Sequence, residues 1–287
     1  MRFPWTRASD VHAGASVLIT GAARGIGRCA ATEFAAAGCT MFLTDRDDTA
    51  LQVAAEELRA TGATVHARRT DVSDRADVEA CARWVLDTTG SLDVLVNNAG
   101  IGFSGPLVST TMETWRRLID VDLMGPLYHA GAFLPSMLKK GRGTIVNVSS
   151  GQAFFRLPTW GAYAAIKAAM GAWSELLSFE VAASGIRVVT VYPFLVDTGF
   201  YQDIDAGSTW MSRQSIKLMP WYSMKPGKVG RVLFEAARDG RRVEMVHPAN
   251  LLGFYSRLIP PVSNLVTSIS TRLLAGDSDI PSTGGAA

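Results

Sequence analysis

The chain is poor in cysteine, has no long apolar run and carries no block of like charge. Its three cysteines, Cys29, Cys39 and Cys81, are odd in number and show no C-x-x-C spacing, which speaks against a disulfide framework or a thiolate zinc site. They read as small core residues in a reducing compartment. Four histidines occur in 287 residues at spacings that suit no metal, so no metal is expected. No run of about 18 apolar residues appears, and MRFPWTRASD at the start has no continuous apolar segment. Neither a membrane span nor a secretory leader is expected, and a cytoplasmic protein is. Basic residues exceed acidic ones only by 28 to 26, with no clustered basic stretch, so nucleic acid is not an expected partner.

What is present is apolar: 48% of the residues are hydrophobic, enough to bury the core of one large α/β domain. Strand-length apolar runs near 16–20, 39–44, 64–69, 92–97, 143–149, 186–192 and 243–247 alternate with helix-length periodic segments. The helices fall near 26–37, 48–60, 74–88, 111–139, 160–183 and 227–238, with Gly38, Gly62, Gly90, Gly141 and Gly185 placed as stops. The alternation predicts a doubly wound parallel seven-stranded sheet with helices on both faces. Residues 1–248 are expected to form that domain and 249–287 a C-terminal extension of it.

In such a sheet ligands bind beyond the carboxyl ends of the strands, and Gly21, Asp45, Asp71, Asn98, Ser150 and Pro193 each follow a predicted strand. After Val17, Leu18 and Ile19 comes TGAARGIG at 20–27. Glycines here let backbone N–H groups and a helix N-terminus approach a phosphate. Their spacing, G-x-x-x-G-x-G, fits the general dinucleotide fingerprint only loosely, and a ligand-free strand-to-helix turn is the alternative.

Tyr163 and Lys167 stand at i and i+4 on one predicted helix, so their side chains share a face. A free tyrosine, with a pKa of about 10, is a poor base near neutrality. A neighbouring ammonium stabilises phenolate and moves the group toward the range useful for acid–base catalysis. Ser150, at the end of another strand, can hydrogen-bond a substrate oxygen.

These segments, in order TGAARGIG at 20–27, DV at 71–72, NNAG at 97–100, NVSS at 147–150 and YAAIK at 163–167, resemble the short-chain dehydrogenase/reductase family over roughly residues 15–200. The resemblance implies a Rossmann-like fold and hydride transfer with a nicotinamide cofactor. It implies that Tyr163 exchanges a proton with an alcohol or carbonyl, that Ser150 orients it and that Lys167 also holds the nicotinamide ribose. It further implies cofactor contacts from Gly21, Arg24, Gly25, Ile26, Gly27, Asp45, Arg46, Asp71, Val72, Asn98, Tyr163, Lys167, Val196 and Thr198. Asn98 also suits backbone contacts or a turn cap, and Asp71 could cap the helix after Ser73.

Two departures from the family stand out. Asp122 replaces the usual asparagine of the catalytic set, before Gly125 and Pro126, where a local helix distortion is expected. Its charge would favour the charged lysine and blunt the lysine's effect on Tyr163. Phe194 replaces the glycine that commonly follows Pro193, and its ring would narrow the nicotinamide side of the pocket. A dinucleotide-binding regulatory protein with little turnover is the alternative from another class.

Asp45 can accept from both adenosine ribose hydroxyls and would repel a 2′-phosphate, whereas Arg24 and Arg46 match positions that bind that phosphate in relatives. NAD is expected, with NADP and a carbonyl-reductase role as the second choice. Phe154, Phe155, Leu157, Pro158 and Trp160, with Phe200, Tyr201, Trp210, Met211, Met219, Trp221, Tyr222 and Met224 in an expected lid near 199–226, suit a lipophilic secondary alcohol or ketone. A homo-oligomer is expected. Residues 249–275 are apolar but broken at Pro260–Pro261, so they are expected to cover the pocket or a partner subunit, with peripheral membrane contact the alternative.

Overall fold

The computed structural model describes residues 9–154, 159–198, 205–206 and 223–256. The main sheet is built from β1 (Ser16–Thr20), β2 (Thr40–Asp45), β3 (Val65–Arg69), β4 (Val94–Asn97), β6 (Gly143–Val148), β7 (Ile186–Tyr192) and β9 (Val243–Met245). The short β5 (Phe103–Ser104) and β8 (Asp205–Ala206) pair separately. Strand order in the main sheet is β3-β2-β1-β4-β6-β7-β9, and every neighbouring pair is parallel. The seven-stranded, doubly wound arrangement expected from the sequence is therefore the one found.

The helices are α1 (Gly25–Ala36), α2 (Asp48–Arg59), α3 (Arg75–Thr89), α4 (Met112–Ile119), α5 (Gly125–Lys140), α6 (Gly161–Glu180), α7 (Pro226–Asp239) and α8 (Pro248–Ser256). Because side chains alternate across a strand, Val17 and Ile19 of β1 face one layer and Leu18 the other. The first layer packs Ile19, Leu43 and Val96 against Phe34 of α1, Leu51 of α2 and Leu233 of α7. The second packs Leu18, Phe42 and Leu95 against Val85 of α3 and Phe133 of α5. Phe34, Phe42 and Phe133 are fully buried, and truncating such a ring to alanine costs about 3–5 kcal/mol.

The ends of the elements follow local chemistry. Asp47 accepts from Ala50 N at 3.0 Å to start α2. Asp74 accepts from Ala76 N at 2.8 Å to start α3, so the cap of that helix is Asp74 and not Asp71. Gly90 and Gly141 close α3 and α5 at φ +70°, a conformation costly for a residue with a Cβ. The single helix expected over 111–139 is two helices joined by a π turn at Asp120–Met124, as the expected distortion required. Cys39 and Cys81 are buried, which pushes each thiol up to about 11; Cys29 is only half-buried. No helix among the described residues is long and apolar enough to cross a membrane.

His129 of α5 is fully buried, with Nδ1 2.9 Å from Gly125 O and Nε2 without a hydrogen-bond partner among the described residues. Burial lowers its pKa to about 4, against the opposing hydrogen bond to Gly125. The unfolded chain takes this proton below about pH 6.5 and the folded chain only near 4, so stability falls as pH drops through that window, by about 3 kcal/mol at most. Urea unfolding at about pH 7 and about pH 4 should show a smaller acid-induced loss for His129→Gln than for the parent. Equal losses would remove His129 as the source.

Candidate active site

Strand order reverses between β1 and β4, where the connections leave in opposite directions, and a crevice opens beyond the carboxyl ends there. The cleft found at that place holds about 430 Å³, within the usual range for a small-molecule site. Its lining includes Gly21, Arg24, Gly25, Ile26, Asp45, Arg46, Asp71, Val72, Asn98, Ser150, Tyr163, Lys167, Val196 and Thr198. Of the residues expected at the site, only Gly27 and Asp122 lie behind its walls.

The glycine loop is shaped by close approach. Gly21 has φ +66° and Gly25 φ +58°. A Cβ on Gly27 would stand 2.6 Å from Asn98 Nδ2 and collide with the Gly21 carbonyl oxygen. One on Gly25 would stand 3.1 Å from Thr198 Cγ2. Asn98 holds this loop to β4: its Nδ2 donates to Thr20 O at 2.9 Å and to Gly21 O at 3.0 Å. The Thr20 hydroxyl oxygen in turn accepts from the backbone N–H groups of Asn98 and Ala99. Both Asn98 side-chain donors are thus committed to the main chain, the second of the roles its position suited.

At the adenosine end expected from the loop, Asp45 accepts from Ala23 N through Oδ2 and from Asp47 N through Oδ1, each at 3.1 Å. Asp71 accepts from the backbone N and the hydroxyl of Ser73 at 3.0 and 2.6 Å. Burial raises its pKa, but the Ser73 hydrogen bonds and the charges of Arg69 and Arg46 outweigh this and hold it below the usual carboxylate value.

At the other end α6 presents Tyr163 and Lys167, buried to 6% and 4% exposure. Ser150 hydrogen-bonds Tyr163, and its Oγ also accepts from Gln152 N at 3.2 Å. Lys167 Nζ lies 5.7 Å from the Tyr163 ring centre, donates to Val148 O at 3.3 Å and forms an ion pair with Asp122 Oδ1 at 2.9 Å. Asp122 Oδ2 accepts from Ile101 N at 3.2 Å. The π turn thus delivers a fully buried carboxylate to the lysine. Burial raises the pKa of Asp122, and the Lys167 ammonium opposes that rise. Tyr163 is pushed well above its free value by burial and by Asp122, with the Ser150 hydrogen bond opposing.

Phe194 does not narrow the cleft. Its ring stacks on His247 with centroids 5.6 Å apart, and its edge stands 2.6 Å from where a Gly151 Cβ would be; its neighbours Pro193, Leu195 and Val196 line the cavity instead. The segment 195–197 is fixed by Met224, which donates to Leu195 O at 2.8 Å and accepts from Asp197 N at 2.9 Å. Phe154 packs on Tyr192 and Phe254 and is absent from the cleft wall. Trp160 meets Tyr163 edge-on at 5.9 Å. Phe155, Leu157 and Pro158, the lid residues Phe200, Tyr201, Trp210, Met211, Met219, Trp221 and Tyr222, and residues 257–275 of the apolar tail lie outside the described residues.

Sequence reasoning missed Thr114, Arg117 and Val121, which also line the cleft. Their i, i+3 and i+7 spacing was the available signal, but Thr and Arg there look like a solvated face. No group of His, Cys, Asp and Glu suited to a metal occurs among the described residues.

The family model for short chain dehydrogenases matches residues 15–209. Probable oxidoreductase EphD of Mycobacterium tuberculosis is 33% identical over 254 residues, 85% of this chain and 43% of that protein. The chain thus spans less than half the length of that relative. A crystal structure of a short chain dehydrogenase/reductase from Burkholderia phymatum in complex with NAD is 29% identical, with a TM-score of 0.80 over 90% of this chain and 96% of the other. A metagenomic short-chain oxidoreductase in complex with NADP is also 29% identical, with a TM-score of 0.70 over 83% and 99%. The matched segment contains the glycine loop, the strand-end residues and the tyrosine–lysine helix together, and on that agreement the chain belongs to the short-chain dehydrogenase/reductase family of oxidoreductases.

Proposed function

We propose that this oxidoreductase transfers hydride between a nicotinamide dinucleotide and a lipophilic secondary alcohol or ketone. The observation that carries this reading is the convergence of Ser150, Tyr163 and Lys167 on the same cleft as the glycine loop. The residues fit the cofactor: with no Cβ at Gly27 the first turn of α1 packs directly on the Gly21 carbonyl and Asn98 Nδ2, and backbone N–H groups at the start of α1, beside the cleft-lining Gly21 and Gly25, suit a diphosphate. When bound, the nicotinamide supplies or accepts the hydride. Tyr163 Oη moves the proton to or from the substrate oxygen, Ser150 Oγ orients that oxygen, and Lys167 Nζ holds the ribose and carries positive charge beside the phenol. Ile101, Phe103 and Leu118 give the cleft an apolar side, which supports an uncharged, lipophilic substrate. Cytoplasmic location and self-association belong to this proposal and rest on the sequence.

NAD is the preferred cofactor in this reading and NADP the second: the charge of Asp45, which lines the cleft at the end of β2, would repel a 2′-phosphate, while Arg24 and Arg46 of the same lining would attract one. Relatives of similar identity were solved with each. Isothermal titration should show NADH binding tighter than NADPH, and Asp45→Ala should weaken NADH by about tenfold and relax the discrimination. NADPH binding more tightly to the unmodified protein reverses the assignment. The activity itself is tested by NADH formation over a panel of lipophilic alcohols, and by NADH consumption over the matching ketones. Tight dinucleotide binding with no turnover across both panels would favour the regulatory alternative.

A further inference from the structure

Where the family usually carries asparagine this chain has Asp122, so Lys167 has a charged partner of its own. We propose that Asp122 is a buried counter-ion to Lys167 that keeps Tyr163 in its phenol form, so that near neutral pH the site protonates a carbonyl oxygen in preference to deprotonating an alcohol. The directional part rests on the proposed function; the protonation part does not.

The geometry is confined. Asp122 is fully buried, its Oδ1 is 2.9 Å from Lys167 Nζ, and the Lys167 side chain is 6% exposed. A Cβ on Gly100 would stand 2.6 Å from Asp122 Oδ1 and 3.4 Å from Lys167 Nζ, so the NNAG glycine leaves room for the pair. An isolated ammonium here would stabilise a phenolate at Tyr163. A carboxylate at ion-pair distance cancels most of that field at the phenol and repels a phenolate directly, and low-dielectric surroundings screen neither effect well. Burial is the larger opposition to the phenolate and Asp122 adds to it, so the Tyr163 pKa lies above its free value.

Other charges around Tyr163 do not replace this one. On its own helix the near group is Lys167. The π turn supplies Asp122, while Asp120 lies on the cleft wall. α4 supplies Arg117, on the cleft wall, with Glu113 and Arg116 on the same helix. β7 contributes Arg187, paired with Asp10 at 3.1 Å, and Tyr192, whose hydroxyl lies against Gly171 two turns farther along α6. The 3-10 turn Gly151–Ala153 and β5 carry no titratable side chain.

In carbonyl reduction the carbonyl carbon takes hydride from the reduced nicotinamide and the C–O π electrons move to oxygen. That oxygen takes the Tyr163 Oη proton, and the phenolate left behind is reprotonated from solvent. Alcohol oxidation needs the phenolate at the outset, so its rate rises with pH until Tyr163 ionises.

The test is an ultraviolet titration of tyrosinate in the protein alone, with Tyr163 isolated as the difference between each protein and its Tyr163→Phe counterpart. Asp122→Asn keeps the shape and the acceptor for Ile101 N while removing the charge. Tyr163 should ionise at a pH lower by about 1 unit or more. The alkaline limb of alcohol oxidation should move down with it, and carbonyl reduction at neutral pH should lose ground relative to oxidation. Asp122→Ser, smaller and neutral, should give the same shift and serves if the asparagine variant does not fold. An unchanged or higher Tyr163 ionisation in a folded variant overturns the proposal. If the ionisation shifts but the parent protein turns over no alcohol or ketone, the charge assignment stands and the proposed function falls. If the parent is active and the ionisation does not shift, the function stands and this inference falls.

Discussion

Tyr163→Phe should cut turnover by about 10²–10⁴-fold while changing dinucleotide affinity by no more than about twofold. On the proposed function, the substitution removes the hydroxyl that exchanges a proton with the substrate and leaves the ring. That ring packs edge-on against Trp160 at 5.9 Å and sits in an apolar cluster with Leu118 and Ile166, contacts that phenylalanine keeps. The phenol is buried and held in its protonated form, so its loss also removes a polar group from the interior, and the variant should fold at least as well as the parent. Steady-state kcat on the best substrate of the panel, with calorimetric Kd for the dinucleotide, separates the two effects. A variant that retains most of its turnover would show that the proton moves by another route.

Gly27→Ala should have the other large effect, on binding instead of chemistry. The added methyl would meet the Gly21 carbonyl and stand 2.6 Å from Asn98 Nδ2, and neither is the flexible end of a long side chain. Asn98 is itself tied to Thr20 O and Gly21 O, so the loop cannot yield without breaking the brace between β1 and β4. Overpacking of this kind costs about 1–3 kcal/mol in stability. If the same displacement spoils the backbone N–H cradle, about 3 kcal/mol of binding is lost, a weakening of roughly a hundredfold. Denaturant midpoints and calorimetric titration measure the two losses. Unchanged affinity would mean that the dinucleotide does not use this turn.

These two residues were legible in the sequence because their signals are local. Gly27 belongs to an unbroken sequence stretch of eight residues, and Tyr163 and Lys167 are one helical turn apart, so chain geometry alone brings them together. The strands were legible for the same reason: VLIT, MFLT and VLVN are short apolar runs buried on both faces. The direction of Phe194 was not. Whether a ring after Pro193 enters the cleft depends on His247, which stacks on it, and on Asn250 of α8, which lies against Gly151. Those residues are more than fifty positions downstream, and α8 was not among the expected helices. Arg117 escaped for a related reason, since an arginine on a short amphipathic helix carries no mark of which crevice it borders. Asp122 lay between the two cases: its type flagged a negative charge, but the 2.9 Å pairing with Lys167 depends on the π turn that rotates it inward.

The place of β4 in the middle of the sheet has a consequence for how the protein is made. The run β3-β2-β1-β4 is drawn entirely from residues up to Asn97, so the glycine loop, Asp45 and the Asn98 brace leave the ribosome before Ser150 or Tyr163 exists. The other neighbour of β4 is β6, Gly143–Val148. At about 5–20 residues per second, several seconds of synthesis separate the two strands. During that interval the apolar sequence Val94–Asn97 presents an unpaired parallel edge, the kind of surface on which nascent chains associate wrongly. Slowing translation between codons 98 and 143 would lengthen that exposure.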